Sequence, residues 1–149
     1  MQSDKEMTPQ RFNILLIDDS AEAAHLFELA LREGAPRAKL YWVATPEEGL
    51  EALARSGRFV DVLGIDIVVL DLNLGSDDGF DILQRIRTDD RFAAKPVVVM
   101  SSSRVNSDIE RAYRCGANSY VFKPISLERT FEVVAVLAKY WLDIVTLPE

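Results

Sequence analysis

Ile67-Val68-Val69-Leu70-Asp71-Leu72-Asn73-Leu74 is a β-branched apolar run too short for a helix, and it carries a carboxylate near its far end. An uninterrupted apolar run, rather than an in/out alternation, is what a strand needs when helices cover both faces of a parallel sheet. A carboxylate does not belong in such a core. The run therefore predicts a buried strand that emerges at Asp71, at the carboxyl edge of the sheet, where open α/β folds bind ligands.

Working outward, four further runs have the same character. Phe12 to Ile17 ends in Asp18-Asp19-Ser20, a strand with two carboxylates at its exit. Ser20 reads as an N-cap for a helix reaching Glu33, with Ala23, Leu26, Phe27, Ala30 and Leu31 at helical spacing and Gly34 as its stop. Leu40 to Ala44 reads as a strand, and Thr45-Pro46-Glu47-Glu48 as a helix start with a capping box, the helix ending near Ser56-Gly57. The conformation of Phe59 to Asp66 is left open. After Leu74 come the turn formers Gly75 to Gly79, then a helix from about Asp78 to Asp90 carrying Phe80, Ile82, Leu83 and Ile86 inward. Lys95 to Met100 is a buried strand running into Ser101-Ser102-Ser103. Ser107 and Glu110 suggest a capping box for a helix ending near Cys115-Gly116. Ser119 to Phe122 is a fifth strand closed by Lys123-Pro124, and Ser126 caps a last helix through Trp141 and toward Val145. Five strands alternating with five helices predict a doubly wound α/β fold with a five-stranded parallel sheet, of flavodoxin-like order.

Bulk composition sets the boundaries of the functional reading. The 149 residues make one ordinary domain, read as a frayed leader over 1–12 and a folded unit over 13–149. No apolar run approaches the ~18 residues of a membrane span, and the start shows no apolar signal region, so a cytoplasmic protein is expected. The single Cys115 fits a reducing compartment, and a net charge of -7 argues against a nucleic-acid surface. His25, the only histidine, falls off its helix's apolar stripe and reads as solvated.

In a parallel sheet all strand exits lie along one edge. Asp18, Asp19, Asp71, Ser101 and Lys123 are delivered to the same rim by four strands, each exit opening on the first polar residue after an apolar run. Converging carboxylates at neutral pH require protons or a divalent cation, and an oxygen-only set points to Mg²⁺, or Mn²⁺. A carboxylate nucleophile, a cation to screen it, an ammonium and a hydroxyl are the parts needed to accept a phosphoryl group.

With those residues in place, the chain from about Asn13 to Ala138 resembles the receiver domain of two-component response regulators. The motifs are Leu16-Ile17-Asp18-Asp19-Ser20, Val69 to Leu74, Asp78-Gly79, Val99-Met100-Ser101-Ser102, Gly116-Ala117 and Tyr120-Val121-Phe122-Lys123-Pro124, with thirty positions from Asp71 to Ser101 and twenty-two from there to Lys123. The resemblance implies that Asp71 is the phosphoacceptor and that Asp18, Asp19, Asp71 and the backbone carbonyl of Asn73 hold Mg²⁺. It further implies that Ser101 is the switch hydroxyl, Lys123 the phosphoryl-binding cation, and Tyr120 the aromatic that rotates inward when Ser101 moves. Gly75 stands where the family usually has proline, and Ser101 where threonine is commoner, so a more mobile loop and a less restrained switch are expected.

The donor so implied is a phosphohistidine on a sensor histidine kinase, and the chain would be no conventional enzyme. No output domain is expected after the receiver, and signalling by changed affinity for other proteins is expected with it. Between Phe131 and Leu147 thirteen of seventeen residues are apolar, more than one inward stripe can use. Val133, Val136, Leu137, Tyr140, Trp141, Leu142 and Ile144 are therefore expected at a homodimer interface. The Tyr140 to Pro148 tail and the extended loop before Ile67 resemble the single-domain regulators that partner bacterial phytochrome-type histidine kinases. Two alternatives remain: an aspartate-nucleophile phosphatase of the haloacid dehalogenase type, which needs a second Asp where Asn73 stands, and a pseudo-receiver scaffold, which would have lost one of the site residues.

Overall fold

The computed structural model describes residues 11–62 and 64–148. In chain order the elements are β1 (Phe12–Ile17), α1 (Ala21–Gly34), β2 (Ala38–Val43), α2 (Pro46–Ala54), β3 (Ile67–Leu70), β4 (Asn73–Leu74), β5 (Asp77–Asp78), α3 (Gly79–Thr88), β6 (Val97–Ser101), α4 (Asn106–Arg114), β7 (Ser119–Phe122) and α5 (Leu127–Lys139). Five strands form a parallel sheet in the order β2-β1-β3-β6-β7, and β4 and β5 form a small antiparallel hairpin. β1 begins at Phe12, so the sheet takes in one residue assigned to the leader, and residues 1–10 of that leader lie outside the described residues.

Sequence pattern separates central strands from edge strands. The uninterrupted runs of β1, β3 and β6 are buried almost throughout, whereas β2, with Lys39 and Trp42, and β7, ending in the part-exposed Phe122, lie at the two edges. One face of the sheet packs Ile14, Leu16, Ile67, Val69 and Val98 against α1 and α5; the other packs Leu15, Ile17, Val68, Leu70 and Val99 against α2, α3 and α4. Each fully buried aliphatic side chain contributes about 1.5–3 kcal/mol of transfer free energy, which is what holds two helical layers on one sheet.

Most helix boundaries follow their caps. Ser20 accepts from Ala23 N at 3.1 Å and Ser126 from Arg129 N at 3.1 Å. Thr45 caps α2, and Glu48 Oε1 takes the Ala44 N–H at 3.3 Å in return. α2 ends one turn before Gly57, with Arg55 itself in the left-handed region at φ 56°. The capping box at Ser107 does not form. α4 already starts at Asn106, after an uncapped Val105, and the hydroxyl nearby that takes a backbone N–H is Ser103, bonded to Val105 N at 3.3 Å and to Asp108 Oδ2 at 2.7 Å. The segment before β3 buries Phe59, Val62 and Ile65 beneath the sheet after a 3-10 turn at Gly57–Phe59.

At the C-terminus α5 passes into a π-helical turn, Tyr140–Ile144, closed by Val145 N donating to Tyr140 O at 2.9 Å. Leu137, assigned above to a dimer interface, is instead core: its face of α5 turns toward the sheet with Val134 and Ala138, and it is buried. Trp141 and Val133 pack partly against that same core, while Val136, Tyr140 and Ile144 are exposed. Apolar excess along a helix does not say which residues face the sheet, and Leu137 is one that does.

Candidate functional site

The strand order reverses between β1 and β3, since β1 leads to β2 on one side and, after it, to β3 on the other. Open α/β sheets bind ligands at such a switch point. The register Ile17↔Leu70 puts the next residues, Asp18 and Asp71, side by side at the same height, and Asp71 N donates to Ile17 O at 2.9 Å. Lys123 follows β7, two strands from β3 and therefore roughly 10 Å away in backbone terms. A four-carbon stem is what spans that gap. Its Nζ lies 2.9 Å from Asp18 Oδ2 and 2.9 Å from Asp71 Oδ2.

The remaining oxygens of the pair are held by backbone. Asp18 Oδ1 accepts from Ser20 N at 2.9 Å, and Asp71 Oδ1 from Asn73 N at 3.1 Å. Asp18 is 2% exposed and Asp71 5%, against an exposed Asp19, yet one oxygen from each of the three lies within 4.8 Å of the others. Burial raises the Asp71 carboxyl above the ordinary carboxylate range, more than its hydrogen bonds to Lys123 and Asn73 lower it. Burial pulls the Lys123 ammonium down, but its bonds to Asp18 and Asp71 outweigh that and leave it raised. One ammonium divided between two carboxylates is amply served, while each anion receives only part of a countercharge. The donor set, three carboxylates against one ammonium and so two charges short, fits a hard divalent cation.

Two glycines let the backbone close on this pocket. A Cβ at Gly79 would stand 2.5 Å from Leu72 Cα and 2.8 Å from Asp71 O, so only glycine lets α3 begin against the Asp71 segment. Gly75, at φ 66°, occupies the turn of the β4–β5 hairpin, a conformation closed to proline. The expected mobile loop is thus a hairpin whose turn residue requires the glycine that the sequence supplies.

The second half of the site is a relay of hydrogen bonds. Ser101, 3% exposed at the end of β6, accepts from Ser103 N at 3.2 Å, and the Tyr120 hydroxyl donates to Ser103 O at 2.8 Å. Ser103 thus touches both the hydroxyl and the aromatic singled out in the sequence. It carried no signal of its own beyond belonging to a serine triplet. A cavity of about 80 Å³ opens between α1 and α5 beside Asp18, Asp71 and Lys123, with apolar walls that include Leu16, Phe27 and Val134. His25 is exposed on α1 and takes no part.

With this geometry in hand, comparison with known proteins is direct. The family described as the response regulator receiver domain matches residues 14–135. The "Probable methanogenesis regulatory protein FilR2" of Methanothrix harundinacea is 33% identical over 134 residues, covering 88% of this chain and 84% of that protein. Response regulator Rcp1 of Synechocystis is 28% identical over 135 residues, 91% of this chain and 92% of its own, and its manganese-bound crystal structure superposes with a TM-score of 0.82. The phosphorylated cyanobacterial phytochrome response regulator RcpA, 29% identical, superposes with a TM-score of 0.85 over 93% of this chain and 99% of its own.

Proposed function

This chain belongs to the response regulator receiver family, and from that premise we propose that it is a phosphorylation-switched binding module that takes a phosphoryl group on Asp71 from a sensor histidine kinase. The observation that carries the reading is Lys123 Nζ at 2.9 Å from both Asp18 and Asp71, three residues from distant parts of the chain meeting at one switch point. An Asp71 oxygen forms the bond to phosphorus while the phosphorus–nitrogen bond of the donor breaks, and the leaving imidazole keeps the electron pair and takes a proton. Lys123 and the Ser101 hydroxyl then grip peripheral phosphoryl oxygens, so the chain supplies position and charge rather than covalent chemistry of its own. Mg²⁺ held by Asp18, Asp19 and Asp71, with the Asn73 carbonyl, would screen the approach of two anions. Movement of Ser101 toward the phosphoryl group pulls on Ser103, and through it on Tyr120, which carries the state of Asp71 to the β6–α4 loop.

A phytochrome-type kinase is the proposed donor, supported by similarity to Rcp1 and RcpA over nine-tenths of the chain. The protein works in the cytoplasm on this reading; none of its described helices is long and apolar enough to cross a membrane. Homodimerisation is supported by the exposed Val136, Tyr140 and Ile144 at the C-terminal end of α5 and beyond it. Val133, Trp141 and Leu142 are half-buried beside them.

Incubation with Mg²⁺ and a small acyl phosphate should add one phosphoryl mass to the protein and none to Asp71→Asn; equal uptake by the variant would remove the assignment. Sedimentation of a Val136→Glu, Tyr140→Glu variant should give half the wild-type mass, and a wild type that is monomeric at micromolar concentration would remove the dimer.

A further inference from the structure

We propose that Trp42 is a positioning residue for the Asp18–Asp19 peptide and thereby sets how tightly the carboxylate cluster holds its divalent cation. The proposal rests on the metal reading above. Trp42 lies on the edge strand β2 and is 38% exposed, so burial alone does not account for a tryptophan there. The indole has a single hydrogen-bond donor, and its Nε1–H donates to the Asp18 carbonyl at 2.6 Å.

That bond stands where the β-ladder runs out. The last β1–β2 pair is Ile17↔Val43, and Asp18 N still donates to Val43 O at 3.1 Å. Beyond Val43 the chain turns away into the cap of α2: Ala44 N goes to Glu48 Oε1, and Thr45 caps the helix. The Asp18 carbonyl takes a side-chain donor from β2 at the point where the strand itself ends. Because the peptide unit is planar, fixing that carbonyl also fixes the direction in which Asp19 leaves β1. The Asp18 side chain is held by Ser20 N and Lys123, but Asp19 is exposed, so its aim depends chiefly on this peptide. A wrongly tilted peptide would leave the buried carboxylates in place and swing the third ligand out of the cluster.

The test is calorimetric titration of Mg²⁺, and separately Mn²⁺, into wild type, Trp42→Phe and Trp42→Leu. Phenylalanine keeps an aromatic ring and drops the N–H, so both variants should bind the cation about fivefold more weakly. At saturating metal, phosphoryl uptake by Trp42→Phe should return to the wild-type ceiling, because the defect lies in cation affinity. Wild-type affinity in Trp42→Phe with a loss confined to Trp42→Leu would show a packing role and overturn the proposal, as would unchanged affinity in both variants. A wild type that binds neither cation would overturn the metal assignment itself, and this proposal with it.

Discussion

At the amino rim of the sheet, Arg87 spends its guanidinium on the carbonyls of Gly116 (2.9 Å), Lys95 (2.7 Å) and Ala93 (3.2 Å) and on Asn118 Oδ1 (2.9 Å), which also receives Val97 N. Lys95 Nζ donates to Ile65 O, and Asn13 donates to Gly64 O and, from its backbone, to Asp66. At the carboxyl rim, buried carboxylates share a single ammonium. Both rims are polar and both are reached by several strands, but at the first the Arg87 and Lys95 cations are met by carbonyl oxygens, with the Asp66 carboxylate taking a backbone N–H, and the second keeps negative charge in surplus. The amino rim joins its polar groups to one another across segments, and the carboxyl rim keeps charge that the proposed cation would neutralise.

The sharpest way to break that contrast is Lys123→Ala. Phosphoryl uptake from an acyl phosphate, followed by intact mass against time, should fall about 100- to 1000-fold, the loss seen when one hydrogen-bond donor to a transition state's developing charge is removed. A fall below tenfold would mean that the carboxyl rim does not work through its ammonium.

Arg87→Ala should do the reverse. Denaturant unfolding should show a loss of about 3 kcal/mol, since several acceptors lose their donor together, while uptake per folded molecule stays within twofold of wild type. A strong loss of uptake in a folded Arg87→Ala protein would erase the distinction between the rims.

Asp71→Asn gives a smaller effect of opposite sign. The folded-state pKa of Asp71 is raised above its ordinary value, so the stability cost of ionising the group is absent below the unfolded value near 3.8, builds above it and is complete once the pH exceeds the folded value. In metal-free buffer at pH 7 the variant should therefore be more stable than wild type, with Lys123 still paired to Asp18. That advantage should shrink as the pH falls through the folded pKa toward 3.8. Melting curves between pH 4 and 7 measure it, and a variant less stable than wild type at pH 7 would contradict the surplus of charge.

The difference between the rims also explains what could be read from the sequence. Asp18, Asp71, Ser101 and Lys123 were legible because each follows an apolar run, and a parallel sheet sends every run's end to the same edge. The three central strands were legible for the same reason. Arg87 was not, because its partners are backbone carbonyls of segments brought together only by folding, and a carbonyl has no signature in sequence. Trp42 escaped notice because an aromatic in a strand already has a sufficient reason to be there. Ser107 misled because a capping box requires the helix to start in the right place, and α4 starts at Asn106 instead. Leu137 was placed outward because a helix apolar on several faces does not say which of them meets the sheet.

Lys123 stands 52 residues beyond Asp71, immediately after β7, the strand that forms one edge of the sheet. During translation, then, a nascent chain carries the proposed phosphoacceptor long before the ammonium that pairs with it, and a product cut short ahead of β7 would lack that cation. Because the pocket draws on the exits of β1, β3 and β7, the proposed uptake of a phosphoryl group waits on the last of these strands joining the sheet.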